Sequence, residues 1–489
     1  MAIIANSSLP ARHAWPSLPL LLCLVVFALT ILSGARLLLD PDPYLHITVG
    51  RWIVAHGAIP QRDIFSYSVP GAPWVAHEWL AQVILAGLYS FGWAGLVLAT
   101  AFCFAAAVAL LLRALLRILK PSHALIGTAL AAGLTFPHLF ARPHALGLPL
   151  LVIWMSTLIT ARIERRAPPL YAALLIVPWA NIHSGYLFGL AIAGLLGAEA
   201  LFESSDWGEA ARVARSWGLF GALSLSAALA TPHGIDGLLL PIKLLQMDFA
   251  LSTIREWQSP NFQLPQPLEP WLLLLLLGAL SFGVRLPITR TALLLLLLHM
   301  ALQHQRHAEL LGLVAPLLLA PALAPQLETH AVAAVDNRLA DLGKLAGARG
   351  IAAVGALMLA LSAMVVRIGI THEDGPFTPT QALASVQAQQ VSGPVFNDIN
   401  FGDYLIYVGI APFIDGRVDM YGDAFLRSYA DVGAFPKLVA KYGCTWAIFS
   451  PKNPHVPLLD NLPGWHRIYA DGIAIVYRRQ PEASLGIGR

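Results

Sequence analysis

The chain has 489 residues, 57% of them hydrophobic and only 12% charged, with a formal net charge of +3. A soluble domain carries about twice that charged fraction, so an ordinary soluble globular protein is excluded. The positive charge is small and dispersed, and no nucleic-acid partner is expected.

Apolar runs of bilayer-crossing length, about 17–25 residues, recur along most of the chain. The expected class is a polytopic α-helical membrane protein whose first partner is the lipid bilayer. Cys23 and Cys103 lie inside apolar runs and Cys444 stands alone in the polar C-terminal region. Neither a disulfide framework in that region nor a CxxC motif is expected.

Arg12 and His13 precede an apolar run from about Pro16 to Ala35. Ser33-Gly34-Ala35 resembles a signal-peptide cleavage site, but the run is longer than the usual core of about 7–15 residues. An uncleaved first transmembrane helix with a cytoplasmic N-terminus is expected, leaving the membrane near Leu38. The first external loop then spans about residues 40–92. Its apolar piece from His77 to Phe91 is short for a crossing. Were it to cross, Arg113, Arg117, Lys120 and the Arg162–Arg166 cluster would fall outside. As an interfacial helix anchored by Trp74 and Trp79, it keeps them inside, as the positive-inside rule requires.

Further transmembrane helices are expected at about 93–117, 122–139, 144–161, 168–184, 186–203, 216–232, 269–284, 289–303, 308–325 and 350–369. That makes about 11 in all, with an external stretch at 233–268. The remaining inner connections contain Arg212, Arg215, Arg285, Arg290, Arg338, Lys344 and Arg349. The segment 326–349 reads as a cytoplasmic loop with some helical character. Past Arg367 the composition becomes mixed. Short β-like runs (Pro394–Phe396, Trp446–Phe449, Ile473–Tyr477) alternate with turn residues and helical patterns. A membrane domain over 1–370 and a small external α/β domain over 371–489 are expected, and no internal repeat is evident.

Sorting polar residues by side is informative. Asp40, Asp42, His46, His77 and Glu78 belong to the first external loop. His138, Arg142 and His144 lie at the next outer turn, and Asn181 and His183 at the one after. His233, Asp236, Arg255 and Glu256 follow in the external stretch, then His304, Arg306 and His307. Each has an ordinary structural reading. A His or Trp at a helix end anchors at the interface, an Arg snorkels, and an Asp caps a helix. As a group on one face they predict a wet cavity, because polar side chains and broken helix ends at membrane depth are tolerated only against water or protein. Carboxylates suit general-base work or a metal. The guanidinium fork matches phosphate oxygens. Together they fit transfer from a lipid-linked phosphate donor. In the C-terminal region, Phe413-Ile-Asp415-Gly-Arg417-Val-Asp419 reads either as an Asp–Arg pair ordering a turn or as an acceptor contact facing the cavity.

Several stretches carry a resemblance: Asp40-Pro-Asp42-Pro-Tyr-Leu-His46, Gly50-Arg-Trp-Ile53, Ile59-Pro-Gln-Arg-Asp63-Ile-Phe-Ser-Tyr67 and Trp74-Val-Ala-His77-Glu78-Trp-Leu80. Pro178-Trp-Ala-Asn181-Ile-His183, Glu256-Trp-Gln-Ser-Pro260, Asn397-Asp398 through Phe401-Gly-Asp403-Tyr404, and Phe413 to Tyr421 continue it. The chain resembles a group of bacterial GT-C-like integral membrane proteins. More broadly it is similar to the GT-C glycosyltransferases, which include protein O-mannosyltransferases, lipid A aminoarabinose transferases and oligosaccharyltransferases. The resemblance implies an enzyme of the bacterial inner membrane and a polyprenyl-phosphate sugar donor, with a glycan, lipid or protein acceptor on the outer side. It also implies an acid of the first loop as base or metal ligand. Asp42 is the better match and Asp40 the second, although their Pro-spaced arrangement departs from the adjacent acidic pair common in the class. No cofactor is specified. A divalent cation stays open, with Asp40 and Asp42 as its ligands if one binds. Arg142 and Arg306 are expected to hold donor phosphate. His46, His77, Glu78, His144, Asn181, His183, His233, Glu256, His304, Asp415 and Arg417 are expected to shape the substrate pocket. Two other readings remain: a non-catalytic GT-C-like scaffold or accessory subunit, and a transporter or lipid-handling protein.

Overall fold

The computed structural model describes residues 16–281, 283–327, 333–343, 346–372 and 375–480. Arg12, His13, Lys344 and part of the 326–349 loop lie outside them. The chain begins with α1 (Leu18–Leu32) and a short turn of helix, α2 (Gly34–Leu37). Pro43 starts α3 (Asp42–His56), and Gly57 ends it in the left-handed conformation at φ +61, the usual device for closing a helix. A loop leads to α4 (Trp79–Leu88), which packs against α3. Gly50 makes that approach possible. A Cβ there would lie 2.0 Å from the Gln82 carbonyl oxygen, so no larger residue fits.

The bundle continues with α5 (Trp93–Leu115), α6 (Pro121–Thr135), α7 (Pro143–Ile163), α8 (Ile176–Ile182) and α9 (Tyr186–Phe202). Next come α10 (Trp207–Ala228), whose N-terminus is capped by the Asp206 carboxylate accepting from the Glu209 N–H at 2.8 Å, α11 (Gly234–Leu244) and α12 (Asp248–Thr253). It closes with α13 (Leu268–Ser281), α14 (Ile288–Gln303), α15 (Ala308–Leu327), α16 (Ala333–Gly343) and α17 (Ala348–Ile368). Helix falls within each expected crossing. Four segments are long and apolar enough to cross a membrane by length and composition: Trp93–Leu115, Pro143–Ile163, Gln305–Leu327 and Ala348–Ile368. The other apolar helices are shorter, at 10–17 residues, or, like α10, carry charge at one end.

Trp154, Trp179, Phe220 and the buried faces of α5, α7 and α15 form the main core. α17 contributes little to it and leaves Ile351, Leu357, Leu359 and Met364 exposed. So wide an apolar face suits lipid rather than water. The fold is that of a predominantly helical membrane protein with a small C-terminal sheet.

That sheet belongs to an α/β unit: α18 (Thr380–Ala388), β1 (Val395–Asn397), α19 (Ile399–Tyr407), α20 (Val418–Ala430), α21 (Phe435–Tyr442), β2 (Trp446–Phe449), α22 (His455–Asn461), β3 (Trp465–Ala470) and β4 (Ile475–Arg479). The strand order is β1-β2-β4-β3, with β1 parallel to β2 and the other pairs antiparallel. β1 and β2 are buried along their whole length, as expected for parallel strands covered on both faces.

The unit sits directly on the first loop. The Tyr67 hydroxyl donates to the Val395 carbonyl at 2.6 Å, and Ser68 Oγ donates to the Phe413 carbonyl at 2.5 Å. Asp423 accepts the backbone N–H groups of Phe249 and Ala250 at 2.9 and 3.1 Å, tying α12 to the same unit.

Candidate functional site

The site lies where the first loop meets the turns at one end of the bundle. Arg142 is its hub. It immediately precedes Pro143, whose fixed φ starts α7 and orients the preceding residue in the extended conformation (φ −120, ψ 166). From there the guanidinium contacts three carboxylates contributed by two distant segments. One terminal nitrogen pairs with Asp40, Nε lies 3.1 Å from Asp42 Oδ2, and the other terminal nitrogen donates to Glu256 Oε1 at 2.6 Å. Asp40 also accepts the Asp42 N–H at 3.0 Å, which fixes the Asp-Pro-Asp corner.

The two acids differ. Asp40 is 4% exposed, and burial pushes its carboxyl up to about 7 against the pull of Arg142, the Asp42 and Glu256 charges adding to the rise. The Asp42 side chain is 34% exposed and contacts Arg142 with a single oxygen. Burial alone would raise Glu256, but Arg142 and Arg306 outweigh it and hold the carboxylate below its ordinary value.

A second group surrounds Glu78. The Nε2 atoms of His46, His77 and His183 stand 3.9, 3.8 and 4.0 Å from its carboxylate oxygens. Burial keeps the His46 imidazole below its usual pKa despite Glu78 and Asp42 nearby. His144 connects this group to the bundle: its ring is 6.2 Å from that of His183, and its Nε2 lies 3.7 Å from Glu309.

Arg306 stands apart from the Arg142 cluster. Its guanidinium stacks 4.7 Å over the Trp257 ring and approaches Glu256 only to 3.9 Å, with a third of the side chain exposed. His304 Nδ1 is 2.5 Å from the Trp257 carbonyl, which holds the Glu256–Trp257 turn against the α14–α15 corner. His304 thus positions this turn.

Four expectations change. Arg142 is not free to receive donor phosphate, because its fork is directed at three carboxylates. Asn181 acts as a brace: its Nδ2 donates to the Val177 and Ala230 carbonyls at 2.7 and 3.0 Å, and its oxygen accepts from Trp79 Nε1 at 2.6 Å. His233 is buried at the start of α11, and its Nε2 has no hydrogen-bond partner among the described residues.

Asp415 and Arg417 are turned into the protein interior. They are 0% and 3% exposed and form a two-point pair at 2.8 and 2.6 Å. Arg417 also pairs with Asp63 at 2.7 Å and stacks on Trp74, while the Tyr421 hydroxyl donates to Asp415 at 2.7 Å. This network joins the C-terminal unit to the first loop.

Two acids were not anticipated. Glu309 opens α15 opposite His144, and its only sequence signal is its position two residues after His307. Asp403, in α19, is 1% exposed and accepts the Gly416 N–H at 2.9 Å. Burial, with the Asp42 and Asp415 charges, pushes its carboxyl well above the usual value. It brings the C-terminal unit into electrostatic contact with the first-loop acid.

The Asp40–Asp42 corner does not fit a divalent cation, because Arg142 already supplies its positive charge. Among the described residues no cluster of three or more His, Cys, Asp or Glu side chains is arranged to hold a metal.

No protein-family model and no curated protein matches the chain. Solved structures do. The oligosaccharyltransferase AglB from Archaeoglobus fulgidus, in complex with an inhibitory peptide and a dolichol-phosphate, aligns over 88% of this chain and 69% of its own at 12% identity, with a TM-score of 0.53. ArnT from Cupriavidus metallidurans in the apo state aligns over 94% and 97% at 14% identity, with a TM-score of 0.50. The same protein bound to undecaprenyl phosphate aligns over the same shares at 16% identity and a TM-score of 0.48. The chain therefore has the GT-C fold anticipated from its sequence resemblance.

Proposed function

We propose that the protein is a GT-C-type membrane glycosyltransferase. It moves a sugar from a polyprenyl-phosphate donor to an acceptor at the outer face of the bacterial inner membrane. In this reading the chain crosses about eleven times. The N-terminus is cytoplasmic, and the α/β unit from residue 371 onward is external.

The observation that carries the proposal is the convergence of Asp40, Asp42, Glu256, Arg142 and Arg306, from four separate outer segments, at one end of the bundle. The shared fold with AglB, a transferase solved with a lipid phosphate, supports it.

Asp42 is the base. It is the more exposed first-loop acid, and Arg142 orients it from one side while leaving its other oxygen for the acceptor. As the acceptor oxygen bonds to the anomeric carbon, its proton passes to Asp42. The bond from that carbon to the phosphate oxygen breaks with its electron pair, and polyprenyl phosphate departs. Arg306, whose approach to Glu256 is no closer than 3.9 Å, stabilises the phosphate as charge develops. Asp40 and Arg142 hold the base in place. Glu78 with its three histidines lines the adjoining wall.

The test uses purified protein with a panel of undecaprenyl-phosphate sugars, comparing wild type with Asp42→Asn. Donor-dependent transfer or donor hydrolysis in the wild type alone is expected. No turnover with any donor, or equal turnover in the variant, would sink the proposal. Topology is tested by His77→Cys, His233→Cys and His304→Cys, which should label from outside with an impermeant thiol reagent. Labelling only from inside overturns the orientation.

A further inference from the structure

The turn that carries Glu256 and Trp257 lies between α10 and α13, and it is held at both ends. At its carboxyl end the α14–α15 corner holds it. Besides the His304 contact, the Gln305 N–H donates to the Gln258 carbonyl at 3.0 Å and Ser259 Oγ donates to the Gln303 carbonyl at 3.2 Å. At its amino end stands α12, a helix of six residues. Isolated helices shorter than about 12–15 residues are marginal in water, so α12 depends on support from outside.

That support comes from α20. A helix is ordinarily capped by a polar side chain just ahead of its own first turn, but Met247 occupies that place in α12 and makes no such bond. Asp423 caps it instead, from 174 residues away, its two oxygens accepting the Phe249 and Ala250 N–H groups. The Arg427 guanidinium covers the Phe249 ring at 4.8 Å. Ala250 is 2% exposed, among Phe413, Tyr421 and Leu426 in the core of the C-terminal unit. From the cap a run of backbone bonds reaches the site. The N–H groups of Leu251, Ile254 and Trp257 donate to the carbonyls of Met247, Ala250 and Ile254, each at 3.0 Å.

The same helix reaches the first loop. α20 breaks at Gly422 (φ +75). Just before the break, Tyr421 donates to Asp415, whose partner Arg417 pairs with Asp63. Just after it, Asp423 caps α12. Adjoining pieces of one helix thus hold both the first loop, with Asp42, and the turn with Glu256. Arg142 joins Asp42 to Glu256 directly, and its rigid planar fork tolerates little displacement of either acid. Arg306 depends on the same turn, because its guanidinium rests on Trp257.

We propose that Asp423 is a positioning residue of the site. By capping α12 from α20 it holds the Glu256–Trp257 turn, and with it Arg306, in the arrangement that receives donor phosphate. The effect on the donor rests on the transfer reading above, whereas the holding of the turn does not. Without the cap the turn spends part of its time released, and apparent donor affinity falls by the fraction that stays competent. Saturating donor draws the turn back, so kcat is kept.

The test compares full-length wild type, Asp423→Asn and Asp423→Ala in detergent, by amide hydrogen exchange and by kinetics with the undecaprenyl-phosphate sugar that the wild type turns over. The Asp423 side chain is 25% exposed, so truncating it leaves no closed void. In Asp423→Ala, exchange should quicken from Phe249 through Gln258 while the strands of the C-terminal sheet keep their wild-type rates. KM for the donor should rise about fivefold, the worth of one helix cap, with kcat unchanged. Asp423→Asn keeps one acceptor oxygen and should fall between. Quickening confined to Phe249 and Ala250 makes the cap local and overturns the proposal, as does an unchanged donor KM. Quickening of the strands as well would make Asp423 a strut of the C-terminal unit, which also overturns it. A wild type that turns over no donor sinks the transfer reading, and the spread of exchange to Gln258 still decides whether α20 holds the turn.

Discussion

The two ends of α7 carry two charge clusters of opposite character, roughly 30 Å apart at 1.5 Å per residue. At the far end, Glu199 is 3% exposed and surrounded by donors: Arg162 Nε at 2.9 Å, Arg290 at 2.7 Å and the Thr289 hydroxyl at 2.7 Å. Its charge is compensated and every contact is closed, as a structural lock between α7, α9 and α14 requires. At the near end, Arg142 faces three acids at once, Glu78 is ringed by imidazoles beyond hydrogen-bonding distance, and His144 Nε2, His233 Nε2 and Asp403 Oδ2 have no hydrogen-bond partner among the described residues. Incompletely satisfied, partly buried polar groups call for an explanation, and the proposed site supplies one. The same residue types make a strut at one end and, in the proposed reading, reactive equipment at the other, and the difference lies in whether each group is spoken for.

Four experiments break or sharpen this contrast. The largest effect is expected from Asp42→Asn, which should lower turnover by about 10²–10⁴-fold while thermal unfolding stays within error of wild type. A parallel collapse of stability would make Asp42 a strut as well. Next is Glu199→Ala, which takes from the buried Arg290 guanidinium its hydrogen-bonded counter-charge, while Arg162 keeps Glu203, and should cost about 3–5 kcal/mol. The expected readout is lower yield and melting temperature with unchanged turnover per folded molecule, and a selective loss of turnover would contradict the lock.

Arg306→Ala should raise KM for the polyprenyl-phosphate donor by about tenfold, one charge-assisted contact, with a stable fold. An unchanged KM would remove Arg306 from the donor site. The smallest effect concerns pH. Asp40 binds its proton more readily folded than unfolded, so folding takes up a proton between the ordinary Asp value of about 3.9 and the folded value of about 7. Stability is fully present below the lower value and is lost as pH rises through the upper one. The wild-type melting temperature should fall between about pH 5 and 8 relative to Asp40→Asn, in which that titration is gone; parallel pH profiles would show that Asp40 does not titrate in this range.

How much of this was legible in the sequence varies by residue. That Asp40, Asp42, Glu78, Arg142, His183, Glu256 and Arg306 gather on one face followed from counting helices and applying the charge rule. Apolar periodicity and loop charge are local properties, and helix falls within each predicted segment, although among the described residues only four segments are long and apolar enough to cross a membrane by length and composition. Which acid meets which base was not legible. Arg142 and Glu256 are 114 residues apart, and nothing in either neighbourhood marks the pairing, so Arg142 looked like a phosphate ligand. Asp415 and Arg417 failed as pocket residues for a related reason. Their partner Asp63 comes from the first loop, and only docking of the C-terminal unit buries all three.

By itself, then, the sequence determined the class of molecule, the order of its helices and which polar residues share a face, because hydropathy and charge act locally and are read one segment at a time. Only the tertiary structure decided which of those residues are spent on each other and which remain available. It turned Asn181, His304, Asp415 and Arg417 into fixtures and added Glu309 and Asp403. Ion pairs, burial and unpartnered atoms depend on contacts between segments far apart in the chain, and no single segment encodes them.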